Sequence, residues 1–275
     1  MDLVIDWQDE AYFDAMYKAL SPDKLALDRS DIYRQFISIY LTVGIGGVLL
    51  YTFFSGASWL FLFDRDYLKH PKILKNQVRR EITTTLASIP FMTLLTTPVF
   101  LLEVRGFSKL TDTFDLSTNG ILSELFDIFK FLVFTDFCIY WIHRFLHHPI
   151  LYGPIHKIHH LWKVPTPWAS HAFHPIDGFA QSTPYHLYAF LFPINKVTYI
   201  LMFVFVNCWT ISIHDGLFLS KEGVINSSAH HAEHHLHFTC NYGQYFTLWD
   251  RMFGTHRAPD FEKLNPQNAI KSKGQ

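Results

Sequence analysis

Two uninterrupted apolar stretches dominate the first half of the chain. Residues 35–63 run 29 positions without a charged side chain, and residues 82–102 run 21. A helix needs about 20 such residues to cross the bilayer hydrocarbon, so each stretch predicts a membrane span. The second contains Pro90 and Pro98, which membrane helices tolerate because neighbouring groups re-satisfy the freed backbone. Between the two lies DRDYLKHPKILKNQVRRE, with six Lys/Arg in 18 residues. The positive-inside rule places this loop in the cytosol and the link over residues 103–119 in the lumen. A third stretch, GILSELFDIFKFLVFTDFCIYWI, bears Glu124, Asp127 and Lys130 near its start, where charged heads can snorkel to the interface, and ends at His143. Residues 179–213 are apolar around a break at Pro193-Ile194-Asn195-Lys196. Two full spans barely fit there, so the pattern predicts a short helical hairpin dipping into the bilayer. Parity agrees, because a single span would put the histidines that follow it across the membrane from those that precede it.

Composition reinforces the membrane reading. The chain is 49% hydrophobic and only 17% charged, against roughly 25% charged in soluble domains. With a net charge of -1 and no Lys/Arg-rich run suited to a phosphate backbone, it has no nucleic-acid signature. Cys138, Cys208 and Cys240 are too few and too scattered for a disulfide framework. The start, MDLVIDWQDEAYFDAM, has acids where a signal peptide carries positive charge. The pattern therefore predicts an all-α, multi-pass helical membrane protein with a cytosolic helical cap. Residues 1–31 form a polar lead-in with one amphipathic turn, and 32–142 hold the transmembrane helices. Residues 143–255 form the histidine-box region including the hairpin, and 256–275 form a tail.

The candidate chemistry lies in the histidines. Six of 17 fall within residues 143–160, and His230-His231-Ala232-Glu233-His234-His235 follows about 70 residues on. On a helix, positions i, i+3 and i+4 share a face. His143 with His147, His156 with His159 and His160, and His231 with His234 and His235 can therefore each aim imidazoles at a common point. Eight ligands exceed what one ion takes, so two ions share the set. Imidazole suits iron, copper, nickel and zinc alike, and zinc can replace iron on purification. His148 can stand in for His147 if the helix ends before Pro149, and His230 can alternate with His231. His214, in SIHDG, faces the same boundary and is a further candidate ligand. His171 and His174 are evenly balanced for a metal role, whereas His70, His186 and His256 read as loop or interface residues. Asp136, Asp177, Asp215 and Glu233 suit the role of acceptors for imidazole N–H groups; Asp136, inside a membrane segment, is a functional candidate by default. No GxGxxG, GxxxxGKS or GxSxG motif is present, so any reducing equivalents must come from a partner.

The three histidine boxes in this order, with the tail NYGQYFTLWDRMFGT, resemble the fatty acid hydroxylase/sterol desaturase superfamily. KNQVRREI, YWIHRFLHHP, HKIHHLWKVPTPWASHAFHPIDG and WTISIHDG resemble its sterol C5-desaturase branch, over about residues 32–255. The resemblance implies an endoplasmic-reticulum enzyme with cytosol-facing boxes that uses two irons, dioxygen, and electrons from cytochrome b5 and its NADH-dependent reductase. It further implies a 7-unsaturated sterol such as lathosterol as substrate, with a C5–C6 double bond introduced in sterol and cholesterol biosynthesis. Trp162, Trp168, Phe173, His174 and Phe179 are candidates to line the path of such a flat apolar substrate. The boxes alone do not separate desaturation from hydroxylation of a sterol methyl or fatty acyl chain, nor catalysis from metal binding without turnover. Lys271 and Lys273 have dilysine retrieval spacing, and Asn226-Ser227-Ser228 is a formal glycosylation acceptor expected to stay unmodified in the cytosol.

Overall fold

The polar N-terminal segment is helical over residues 2–20, beyond the one amphipathic turn expected. In the computed structural model, which describes residues 2–20, 28–113, 117–217 and 223–264 together with Asn268, α1 (Asp2–Gln8) runs through a π-helical turn (Asp9–Phe13) into α2 (Asp14–Leu20). Ile5, Phe13 and Tyr17 point inward, and Arg34 draws the segment down through Asp9 at 2.7 Å and through Asp14. That buried pairing is invisible to periodicity, since the acids reading as solvated charge are partners for one distant arginine.

The two long apolar runs become α3 (Ile32–Phe61) and α4 (Gln77–Val104), packed against each other. Asp31 starts α3 by accepting from the backbone N–H groups of Tyr33 and Arg34, both at 2.9 Å, two of the four donors a helix start leaves unpaired. Ile45, Leu49 and Phe53 are 59–69% exposed along α3. On a helix of membrane length that apolar face belongs against lipid. A third long helix, α5 (Thr118–Leu146), delivers His143 and stops at His147. A one-turn α6 (Pro149–Leu151) follows, and an irregular aromatic segment leads to α7 (Pro175–Leu191) and α8 (Lys196–Ser212). The protein is an all-α membrane protein.

The helical hairpin expected over residues 179–213 is α7–α8. Its two helices have 17 residues each, about 25 Å at 1.5 Å per residue, and their turn reaches the link between α4 and α5. There β1 (Leu110–Thr111) pairs in parallel with β2 (Ile194–Asn195). Asn195 then caps α8 through Val197 N–H at 2.8 Å, and Lys196 bridges Asp2 and Asp112, both at 2.5 Å. These caps and bridges tie the turn to the α4–α5 link and to the start of α1.

Beyond the hairpin, α9 (Ser228–His237) carries the last histidine box, followed by α10 (Leu248–Met252) and α11 (Phe261–Leu264). Asn226 is 1% exposed and its amide bonds the Gly243 carbonyl, so the formal glycosylation acceptor is part of the interior. Lys271 and Lys273 lie outside the described residues.

Candidate metal centre

His143 and His147 occupy one face of the last turn of α5, while His156, His159 and His160 ride the tight turns between α6 and α7. His231, His234 and His235 share a face of α9. Together with His214, just past α8, these side chains meet in two groups: His143, His147, His156, His160 and His234 in one, and His159, His214, His231 and His235 in the other. Chain neighbours are divided between them. His159 and His160 serve opposite groups, as do His234 and His235.

Within the first group, Nε2 of His160 lies 3.1 Å from Nε2 of His147, of His156 and of His234, and His147 to His234 is 3.2 Å. Within the second, Nε2 of His231 is 2.9 Å from that of His214 and 3.0 Å from that of His235, and His214 to His159 is 3.5 Å. Hydrogen bonds alone cannot satisfy the His147–His160–His234 triangle, because a proton on one nitrogen settles at most one edge and two protons leave one edge either repulsive or unbonded. A cation at the centre satisfies all three. With metal–nitrogen bonds of about 2.1 Å, the edges of a coordination polyhedron are about 3.0 Å when octahedral and about 3.4 Å when tetrahedral, the range seen here.

The opposite ring nitrogens set the tautomers. Nδ1 of His143 bonds the Tyr242 carbonyl (3.1 Å), that of His234 the Cys240 carbonyl (2.7 Å) and that of His214 the Thr210 carbonyl (2.6 Å), while that of His156 bonds Asp177 Oδ2 (2.7 Å). Each of these Nδ1–H groups donates, leaving an Nε2 lone pair aimed inward, the arrangement that orients metal-binding histidines. Burial first, then neighbouring imidazoles, pushes His147 down to about 3; burial pushes His214 down to about 4; and both causes hold His159, His160, His231, His234 and His235 well below the usual histidine range. All are neutral at physiological pH, the form that can bind a cation.

Several sequence candidates stand elsewhere. His148 turns out at the helix break, where it is exposed and its Nδ1 caps α6 through Ile150 N–H. His230, the third residue of α9, forms a capping box with Ser227 and faces His256. Of the four carboxylates, only Asp177 holds an imidazole of either converging group among the described residues. Asp136 does lie on the His143 face of α5, but the tail segment at residues 241–245 runs along that face and takes both groups. Tyr242 supplies its carbonyl to His143, and Asp136 Oδ1 accepts from Gln244 N–H (2.8 Å) and Tyr245 N–H (2.7 Å). Asp215 accepts from Leu217 N–H (2.8 Å), and burial raises it to about 7. Glu233 faces away from the groups to Arg257 (3.0 Å), His237 (3.2 Å) and Asp260 N–H (3.2 Å), tying α9 to the C-terminal segment.

Directly beneath both groups lies a cavity of about 440 Å³, walled by α3, α4, α7 and α8, with His143, His159, His214 and His231 in its roof. Of the aromatic candidates, Phe173 lines it and Trp162, Trp168, His174 and Phe179 do not. Trp162 donates to the Ala172 carbonyl (2.9 Å) in a separate small core, Trp168 sits edge-on to Tyr51 (5.6 Å) and His174 caps α7 through Ile176 N–H. Those roles depend on how the irregular segment coils, which no periodicity reports. Gly178 makes the wall close: a Cβ there would collide with Phe173 and Met92. One polar lining residue passed over by the sequence reading, among several, is Asn207 on α8, bonded to His171 Nε2 at 3.0 Å. A lone amide inside an apolar helix was its signal. At the cavity's far end, His186 and Tyr199 share the carboxylate of Glu103.

Comparison with known proteins places this architecture. The fatty acid hydroxylase family profile matches residues 128–255. Human lathosterol oxidase is 49% identical over 276 residues, covering 98% of this chain and 90% of that protein. The chain belongs to the fatty acid hydroxylase/sterol desaturase family. Mouse lathosterol oxidase is 48% identical (99% and 91% covered), and a Delta(7)-sterol 5(6)-desaturase of Schizosaccharomyces pombe is 46% identical (98% and 88% covered). No solved structure matches the chain. The family match spans both box-bearing turns, α7, α8, α9 and the tail that orients His143 and His234, so it covers all nine converging histidines.

Proposed function

We propose that this protein is an oxidoreductase of the sterol C5-desaturase type, removing the C5 and C6 hydrogens of a 7-unsaturated sterol such as lathosterol to give the 5,7-diene. The observation that carries this reading is the apolar cavity roofed by histidines of both groups. A flat, hydrocarbon-rich substrate drawn from the bilayer would meet both centres with the same ring. Near-full-length similarity to proteins named for this reaction supports it.

The nine converging histidines would hold two irons, which when bound would supply the redox chemistry that turns dioxygen into the oxidant. The chain's own part is placement and shielding. Nδ1 partners such as Asp177 and the Tyr242 carbonyl fix ring orientation, while the cavity positions the reacting carbons and excludes water. Electrons would come from cytochrome b5 and its NADH-dependent reductase, in the endoplasmic-reticulum membrane with the histidine groups toward the cytosol. The histidine region at 143–255 would then form the catalytic unit over the spans at 32–142. Zinc could occupy the same nitrogens after purification.

Membranes containing the protein and supplied with lathosterol are expected to accumulate a product with 5,7-diene absorbance. A hydroxylated sterol or acyl chain without the diene would instead place the protein among the family's hydroxylases. Asp177→Ala is expected to lower metal occupancy and turnover by roughly 10–100-fold, because His156 loses the acceptor that holds its tautomer. Metal content of the purified variant, measured beside product yield, checks this.

A further inference from the structure

A second recess, outside the sterol cavity, opens on the face of the histidine cap turned away from the bundle. Pro71–Leu74, Tyr152, Lys157, Leu161, Lys163 and Phe238 wall it, and His160, only 3% exposed, forms its floor. Lys72, Lys157 and Lys163 rim it and are exposed; no acid lines it, and none of the three pairs with a carboxylate among the described residues. Phe238 packs on His160 with ring centroids 4.8 Å apart, and Lys163 Nζ stands 5.1 Å from the centroid of the same ring. Tyr152 lies 5.6 Å from His147 and 5.9 Å from His160. Phe238 also sits at φ +65°, ending α9 in the left-handed region. Glycine or asparagine normally fills that position, and a bulky side chain held there is strained. Packing holds this ring, part of the recess wall, against His160 of the first histidine group.

The reaction needs such a surface. Dioxygen takes up four electrons and four protons to become two waters. Breaking the two C–H bonds supplies two of each, so two electrons and two protons must come from outside, and the sequence carries no nucleotide-binding motif. We infer that this lysine-rimmed recess is the docking surface for an acidic one-electron carrier protein, with Phe238 and Tyr152 bridging from the carrier to His160 and His147. The inference rests on the oxidative reading above. A small, charge-steered contact fits a carrier that must bind, deliver and leave, and it weakens with salt.

The test uses the full protein in nanodiscs and the soluble haem domain of cytochrome b5 as probe, with both binding and oxidation of the reduced haem followed at low and physiological salt. Lys157→Glu with Lys163→Glu is expected to weaken binding and raise the carrier KM at least tenfold with kcat nearly kept, while Lys18→Glu at the opposite end of the chain changes neither. Phe238→Gly, which relieves the backbone strain and so keeps the fold, is expected to slow haem oxidation severalfold at unchanged binding. Unaltered carrier affinity in the double reversal overturns the docking surface, and unaltered oxidation in Phe238→Gly overturns the bridge. Because binding is read without sterol turnover, a wild-type protein that binds the haem domain but forms no diene counts against the activity reading alone.

Discussion

His160→Ala is expected to leave the protein inserted in the membrane and without detectable 5,7-diene. Its Nε2 is the point the first group shares, within 3.1 Å of three other imidazole nitrogens, so removing the ring opens the coordination set at its middle. The loss should exceed the roughly 10–100-fold that follows from disturbing an outer partner of a metal ligand. Metal content should fall with it, since the remaining nitrogens no longer enclose one centre. Folding is buffered, because the ring is replaced by a smaller apolar group and no N–H partner is stranded: His160 Nδ1 makes no hydrogen bond. Product chromatography and metal analysis on the same preparation check the expectation. Normal turnover in this variant would remove the first group from the chemistry.

The second large effect separates structure from catalysis. Asp136→Ala is expected to destabilise the protein by about 2–6 kcal/mol, since two backbone N–H groups, on Gln244 and Tyr245, lose their shared acceptor at roughly 1–3 kcal/mol each. Asp136→Asn should be close to wild type. The amide keeps a carbonyl oxygen for those donors, and its NH2 takes the place of Oδ2, which has no partner. If Asp136 acted on an imidazole as a charge, Asn and Ala would fail alike. Thermal unfolding in detergent distinguishes the outcomes, and Asp136→Ala should also lose activity because the displaced tail carries the carbonyls that hold His143 and His234.

What the sequence made legible was whatever repeats locally. The charge-free runs at 35–63 and 82–102 match α3 and α4, and helical spacing brought out the histidines that converge. The choice between adjacent histidines was not legible. His147 keeps the phase of His143 because α5 ends in helical geometry there, while Pro149 forces His148 into extended backbone. His230 is claimed by the capping needs of its own helix. The carboxylate roles stayed hidden for a different reason: Asp136 and Glu233 answer to segments more than 20 residues away in the chain, and only the docked tail reveals which face it occupies. The N-terminal helix was missed likewise, since Asp9 and Asp14 look solvated until Arg34 is placed beside them.

The division of His159 from His160, and of His234 from His235, has a consequence for how the centre can be altered. Each pair joins the two groups through a single peptide bond, while His143 and His147 at the end of α5 serve the first group alone and His214, just past α8, the second alone. A change that tilts one ring drags its neighbour across the divide. A substitution within either pair is therefore expected to disturb both groups, whereas one at His214 disturbs the second alone.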